Sequence, residues 1–216
     1  MIIVTKNHLV TRDIDLLKKL AIWRAVIVNV SVTTLDASLQ RVMEPRASTP
    51  ARRIRAVSEL ISNGIPVRVL VAPVIPGLTD HEIPAILERA ASAGALDASY
   101  ILLRLPHGVK ELFASWLQRH FPERARRVLN RVREVRSGKL NNPRFATRMG
   151  GEGVYAEQIQ GLTDLSEAKT WHRGTHDTSL VLPFMNTVTD SLTPCSPWGK
   201  SHGLLETSET PGGEPT

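Results

Sequence analysis

Four short apolar runs recur along the chain, at residues 2–4, 25–30, 67–71 and 100–103, and each stops at polar or turn-forming residues. The stops are Thr5-Lys6-Asn7, Ser31-Val32-Thr33-Thr34, Ala72-Pro73 and Arg104-Leu105-Pro106. Between the runs the apolar positions fall three and four apart, the helical period. Thr11 caps a first helix, with Asp13 in its first turn and Ile14, Leu17 and Leu20 as one stripe. Asp36 caps a short turn through Leu39 and Met43, which Glu44-Pro45-Arg46 interrupts because the residue before proline avoids the helical region. Thr49-Pro50 opens a helix that buries Ile54, Val57, Leu60 and Ile61 and stops at Asn63-Gly64. Two prolines and a glycine make residues 72–77 a stiff, tight loop. Thr79 or Asp80 then caps a helix with Ile83, Ile86, Leu87 and Ala90 inward, ending at Gly94. A fourth strand is predicted over about residues 99–105. Val109, Leu112, Phe113, Trp116 and Leu117 follow as a strongly amphipathic helix. Pro122 opens another, with Ala125, Val128, Leu129, Val132 and Val135 inward and Arg124, Arg126, Arg127, Arg131, Arg133 and Arg136 mostly outward; Ser137-Gly138 closes it.

Strand and helix in strict alternation predict repeated βα units, joined by right-handed crossovers, with parallel strands buried on both faces. The fold class is therefore α/β: a partial parallel (β/α) barrel of about four βα units, followed by C-terminal helices. Such folds place their chemistry at the C-terminal ends of the strands. Four parallel strands leave two open edges, a hazard for a soluble protein. The series also begins at residue 2, so the expectation is the rear portion of a larger barrel, with its front absent or carried by a partner chain.

Composition refines this picture at the C-terminal end. Residues 1–160 carry 24 Lys+Arg against 14 Asp+Glu, whereas residues 161–216 carry 3 against 7. The expected divisions are a barrel with C-terminal helices over 1–138, an irregular arm over 139–160 and a disordered Thr/Ser/Pro/Gly-rich tail over 161–216. No apolar run approaches the ~20 residues of a membrane helix, and the N-terminus lacks the order of a signal peptide, so a cytoplasmic protein is expected. The one cysteine, Cys195, excludes an internal disulfide and a cysteine metal cluster built from these residues alone.

Several residues at the strand ends can carry chemistry. Lys6 is either a solvated loop lysine or an ammonium at a barrel mouth, suited to a carboxylate or phosphate. Ser31, Thr33 and Thr34 either bind a ribose or satisfy loop backbone groups. Glu44-Pro45-Arg46 can set an ion pair at the rim. Arg104 interrupts an apolar strand and needs partners there, as a structural ion pair or as a site residue. His8, His81, His107 and His120 show no metal-binding spacing, and Gly150-Gly151-Glu152-Gly153 lacks the preceding strand of a phosphate loop. Arg126, Arg127, Arg131 and Arg133 form either a solvated helix face or a contact for nucleic acid.

Taken in order, a set of segments becomes specific: Val4-Thr5-Lys6-Asn7 with residues 9–17, Val30-Ser31-Val32-Thr33-Thr34-Leu35-Asp36, Glu44-Pro45-Arg46-Ala47, and Gly64-Ile65-Pro66-Val67 leading to residues 72–80. Leu102-Leu103-Arg104-Leu105-Pro106 and residues 144–149 complete it. Over residues 2–160 this series resembles the radical S-adenosylmethionine superfamily, in its branch related to spore photoproduct lyase. The resemblance implies a partial (β/α)6 barrel of which this chain supplies strands three to six. It also implies a [4Fe–4S] cluster held by a Cys-x-x-x-Cys-x-x-Cys motif, and S-adenosylmethionine cleaved to a hydrogen-abstracting radical. By position, Lys6 resembles the lysine on the methionine carboxylate, Ser31 the hydroxyl near the ribose and Ala72 a backbone contact to adenine; Thr33 and Arg104 complete the expected cofactor-binding set. The cysteine triplet is not among these 216 residues. The expectation is a truncated member that is inactive alone, with two alternatives: a basic nucleic-acid-binding module, or one half of a split enzyme.

Overall fold

The computed structural model describes residues 1–144 and 147–171. Four parallel strands, β1 (Ile2–Thr5), β2 (Ile27–Ser31), β3 (Val67–Val74) and β4 (Ala98–Leu102), lie in chain order in one sheet. Seven helices connect or follow them: α1 (Ile14–Ile22), α2 (Ala37–Met43), α3 (Pro50–Ser62), α4 (Ile83–Ser92), α5 (Val109–His120), α6 (Pro122–Glu134) and α7 (Val154–Trp171). Sequential strands neighbouring in space, each pair joined through helix, are what βα alternation demands. The architecture is consistent with a partial barrel.

Register and burial separate the two faces of the sheet. Paired residues share a face and successive residues alternate. Val28, Val30, Val67, Val69 and Val71 are all buried, and they pack in one cluster with Leu17, Val57, Leu60, Ile83, Ile86 and Leu87 from the helices. On the opposite face Val4 pairs with Asn29 and Asn29 with Arg68; Ser31 pairs with Leu70 and Leu70 with Ser99. Val4 and Ser99 are exposed, and Asn29, Arg68 and Leu70 are half-buried. The expectation of strands buried on both faces therefore holds only in part. Helices cover one face, and the inner face is only partly exposed, since Ile27 and Ser31 on it are buried.

Local signals explain most element boundaries. Asp36 accepts from the amides of Ser38 and Leu39, capping α2 as expected. Gly64, at φ +73°, ends the α3 turn in the left-handed region that glycine tolerates. Asn7, rather than Thr11, caps the first helical segment, a 3-10 turn over His8–Asp13 that leads into α1. β3 runs on through the cis Ala72–Pro73 bond to Val74, past the expected loop start. β4 stops at Leu102, three residues early, and Arg104 lies exposed beyond it. Arg104 thus never enters the packed sheet and forms no ion pair among the described residues. In α5 only Leu117 is fully buried, and Val109 and Leu112 face solvent.

Two larger differences concern the C-terminal part. Arg136, grouped by periodicity with the outward arginines, lies past the end of α6 and is buried. Its guanidinium donates to the carbonyls of Leu102 (3.1 Å), Leu103 (2.9 Å) and Thr147 (3.0 Å). The expected irregular arm over 139–160 ends at Val154, where α7 begins and runs through Gly161, the expected boundary. α7 docks beside α4 and buries Ala156, Ile159 and Thr163. Tyr100 Oη donates to Gln160 Oε1 (2.8 Å) and Trp171 Nε1 to the Ala95 carbonyl (2.9 Å). Residues 172–216, with most of the expected tail and Cys195, lie outside the described residues.

Candidate cofactor-binding site

Three of the four strands deliver their C-terminal ends to one polar network. Lys6 follows β1, Ser31 ends β2 and Thr33 lies two residues on, and Ala72 sits near the end of β3. Lys6 Nζ pairs with Glu44 Oε1 and donates to Thr33 Oγ1 at 3.3 Å. Ser31 Oγ donates to the Ala72 carbonyl at 2.9 Å. Thr33 Oγ1 lies 2.8 Å from that carbonyl and 2.9 Å from Glu44 Oε1, and shares its one proton between them. Four of the five expected site residues thus meet around one oxygen and one carboxylate; Arg104 stands apart at the end of β4.

Arg53 completes the network, and no motif argument singles it out. It occupies the first turns of α3, with a side chain only 1% exposed. Its three nitrogens go to three partners: Nε to the Ser48 carbonyl (2.8 Å), Nη1 to the Ser31 carbonyl (3.1 Å) and Nη2 to Glu44 Oε2 (2.5 Å). A guanidinium fork suits such a task, because its donors point in fixed and divergent directions. The only sequence signal is an arginine one residue before Ile54 on the buried stripe, where a charge without a partner would be costly.

Electrostatics follow from the count of charges. Glu44 is 12% exposed and sits between two cations, Lys6 at 36% exposure and Arg53. Burial raises the Glu44 carboxyl, but the hydrogen bonds and charges of Lys6 and Arg53 outweigh it and hold the group below the usual carboxylate range. Glu44 is therefore ionised at neutral pH, and the three groups together carry one net positive charge. Lys6 has three N–H donors and spends two, so a third is free for an incoming anion.

The residues fit one of the two groups implied by the resemblance and not the other. A bound amino-acid carboxylate meets a half-exposed ammonium in a net positive site. Ser31 Oγ donates to Ala72 and accepts no hydrogen bond among the described residues, but at 2% exposure it offers little surface to a sugar hydroxyl. Asn29 Oδ1, two residues before Ser31 on the inner face, is a buried acceptor with no hydrogen-bond partner among the described residues, and it suits a ligand donor. The Ala72 carbonyl, by contrast, already receives two hydroxyls, so little acceptor capacity remains there. An iron–sulfur cluster needs thiolates. Among the described residues no group of three or more His, Cys, Asp or Glu is placed to hold a metal, and the sequence has one cysteine.

The arginines of α6 form a separate surface. Arg126, Arg127 and Arg133 are exposed, opposite the buried Ala125, Val128 and Val132. Arg131 is engaged within the molecule, 4.3 Å above the Tyr155 ring and 2.8 Å from Glu134. Tyr155 Oη donates to Asp80 Oδ2; burial and that carboxylate push the phenol up to about 12, so it remains a donor. No helix of the described residues is long and apolar enough to cross a membrane.

Residues 1–90 match the family model described as the radical SAM superfamily. That stretch runs from β1 into the last turn of α4, with Lys6, Ser31, Thr33, Glu44, Arg53 and Ala72. Among curated proteins, Rv2578c of Mycobacterium tuberculosis is 33% identical over 135 residues, covering 62% of this chain and 38% of that protein. MJ0683 of Methanocaldococcus jannaschii is 35% identical over 80 residues, 37% of this chain and 30% of that protein. ORF301 of Acidianus two-tailed virus is 37% identical over 75 residues, 35% and 24% respectively. The chain thus spans well under half the length of the curated relatives it matches.

Proposed function

We propose that residues 1–90 form the wall of a radical SAM barrel that holds the amino-acid and ribose parts of S-adenosylmethionine. The observation that carries this reading is the net positive Lys6–Glu44–Arg53 network at the ends of β1 and β2. Lys6 binds the ligand carboxylate with its free N–H. Glu44 limits where the ammonium can sit, and Arg53 keeps Glu44 from repelling the incoming charge. Asn29 accepts from a ligand donor, and Thr33 links the ammonium to the strand end. S-adenosylmethionine supplies hydrogen-atom abstraction when reductively cleaved, and that step lies outside what these residues can do. The branch related to spore photoproduct lyase remains part of this proposal, resting on the order of the segments.

The test is equilibrium binding of S-adenosylmethionine to the full chain, beside 5′-methylthioadenosine, which has no amino-acid carboxylate. Lys6→Ala is expected to weaken S-adenosylmethionine by about 10- to 100-fold, the worth of one charged hydrogen bond, and to leave 5′-methylthioadenosine unchanged. Failure of the unaltered chain to bind S-adenosylmethionine, or equal loss of both ligands in the variant, would sink the reading.

A further inference from the structure

A cavity of about 350 Å³ lies beside the Lys6 network, linked to it by Ser48, whose carbonyl accepts from Arg53. Asn7, Leu9, Arg46, Ala47, Ser48, Thr49 and Arg52 line it. Its floor is rigid. Ser48 Oγ donates to Asn7 Oδ1 (3.0 Å) and accepts from the His8 amide (2.8 Å), the Ser48 amide donates to the Lys6 carbonyl (3.1 Å), and the Ser48 carbonyl accepts from Arg53.

Two guanidinium groups stand in this cavity without a carboxylate. Arg46 and Arg52 are exposed and form no ion pair with any of the described residues, the neighbouring acids being engaged elsewhere. Glu44 is held by Lys6 and Arg53, Glu59 by Arg55 and His8, and Asp13 by Arg12. Thr49 gives α3 no side-chain cap, so the first-turn amides of this 13-residue helix lack that acceptor, and Thr49 and Arg52 from this turn line the cavity. Two unpaired forks facing one cleft, with a helix start between them, match the geometry and charge of a phosphate group.

We infer that this cleft is a phosphate-binding subsite, formed by Arg46 and Arg52 over the Asn7–Ser48 floor and separate from the site of the Lys6 ammonium. The phosphate belongs to a nucleotide or to a polynucleotide backbone, two sources of one chemistry. The inference does not depend on S-adenosylmethionine binding, since Lys6 and Ser31 play no part in it.

The full chain is titrated with inorganic phosphate while the backbone amide resonances of residues 46–52 are followed by NMR. A fluorescein-labelled single-stranded oligonucleotide is titrated in parallel by anisotropy over a range of salt. Phosphate is expected to shift the Ser48, Thr49, Ala51 and Arg52 amides saturably, and R46Q/R52Q to abolish the shift while the rest of the spectrum keeps its folded dispersion. If the source is a polynucleotide, R46Q/R52Q also lowers the slope of log affinity against log salt by about 1.4, two single-strand contacts at about 0.7 each. The α6 variant R126E/R127E is expected to keep the phosphate shifts. Shifts without oligonucleotide binding assign the site to a nucleotide. Absence of saturable shifts, or their persistence in R46Q/R52Q, overturns the inference.

Discussion

Arg53 is the residue on which the site turns, and its value is in positioning. Three carbonyl or carboxylate partners hold it, and it in turn holds Glu44 against Lys6. Arg53→Met keeps the volume and removes the charge, leaving Glu44 half-compensated. It is expected to cost about 3–5 kcal/mol in chemical denaturation, as for other broken buried pairs, whereas Arg53→Met combined with Glu44→Gln should recover part of the loss. Glu44 also gives a pH signature. Its carboxyl is held low in the folded state, so the pair stabilises the fold above the ordinary carboxylate range, and that contribution fades as pH falls through the lowered value. Glu44→Gln should flatten the acid limb of the stability curve; an unchanged limb would remove the network from the account. Lys6, Ser31 and Thr33 were legible in the sequence because each lies in the polar stop that closes an apolar run. Arg53 was not, since one arginine among Arg52, Arg53 and Arg55 gives no sign of which points inward until the helix phase is fixed by the packing of Val57 and Leu60.

At the scale of elements, α7 was the least legible. Its apolar residues do not gather on one stripe, and Gly161 falls in its middle, so neither period nor composition points to a helix. What holds it is tertiary: the face with Ala156, Ile159 and Thr163 against α4, and the polar ties at Gln160 and Trp171. Such docking routinely overrides weak local preference. α4 was the reverse case, with Ile83, Ile86, Leu87 and Ala90 buried as expected, although it starts at Ile83 and not from a Thr79 or Asp80 cap. α3 starts at Pro50 as expected, but Ile54 and Ile61 are only half-buried and Arg53 and Ala56 take the inward positions. α7 carries a titratable group of its own. Burial, then Asp164 and Asp97, push Glu167 up to about 7, against a smaller opposing pull from Arg68. An acid raised in the folded state makes the fold less stable as pH rises from the ordinary carboxylate range to about 7. Protection of α7 against limited proteolysis should therefore be greater at pH 5 than at pH 8, about the two sides of that titration, and Glu167→Gln should make the two conditions alike. A difference that survives the substitution would assign the effect to another group.

For the whole molecule, the βα alternation made the parallel sheet and its strand order readable from residues 2 to 102, because each strand is a short apolar run closed by polar residues. The unequal faces were not readable: apolar runs such as residues 25–30 look alike whether one side or both are covered. Val4 and Val28 test that asymmetry. Val28 is fully buried under the helices and Val4 is 62% exposed on the inner face. Val28→Asp is expected to unfold the chain at room temperature, because a buried unpaired carboxylate exceeds a typical margin of about 5–15 kcal/mol or most of it. Val4→Asp should shift the urea midpoint by no more than about 0.5 kcal/mol equivalent. Equal damage from both would mean that the inner face is covered in solution.

The segment between α2 and α3 has a consequence for traffic. Gln40 Nε2 ties down the carbonyls of Glu44 (2.8 Å) and Ala47 (3.2 Å), and Ser48 is fastened to Lys6 and Arg53. Anchored at each of these points, it behaves as a joist and not as a door. The side chain of Lys6 is already 36% exposed beside this fixed rim, so nothing above it has to swing aside for a ligand to reach it.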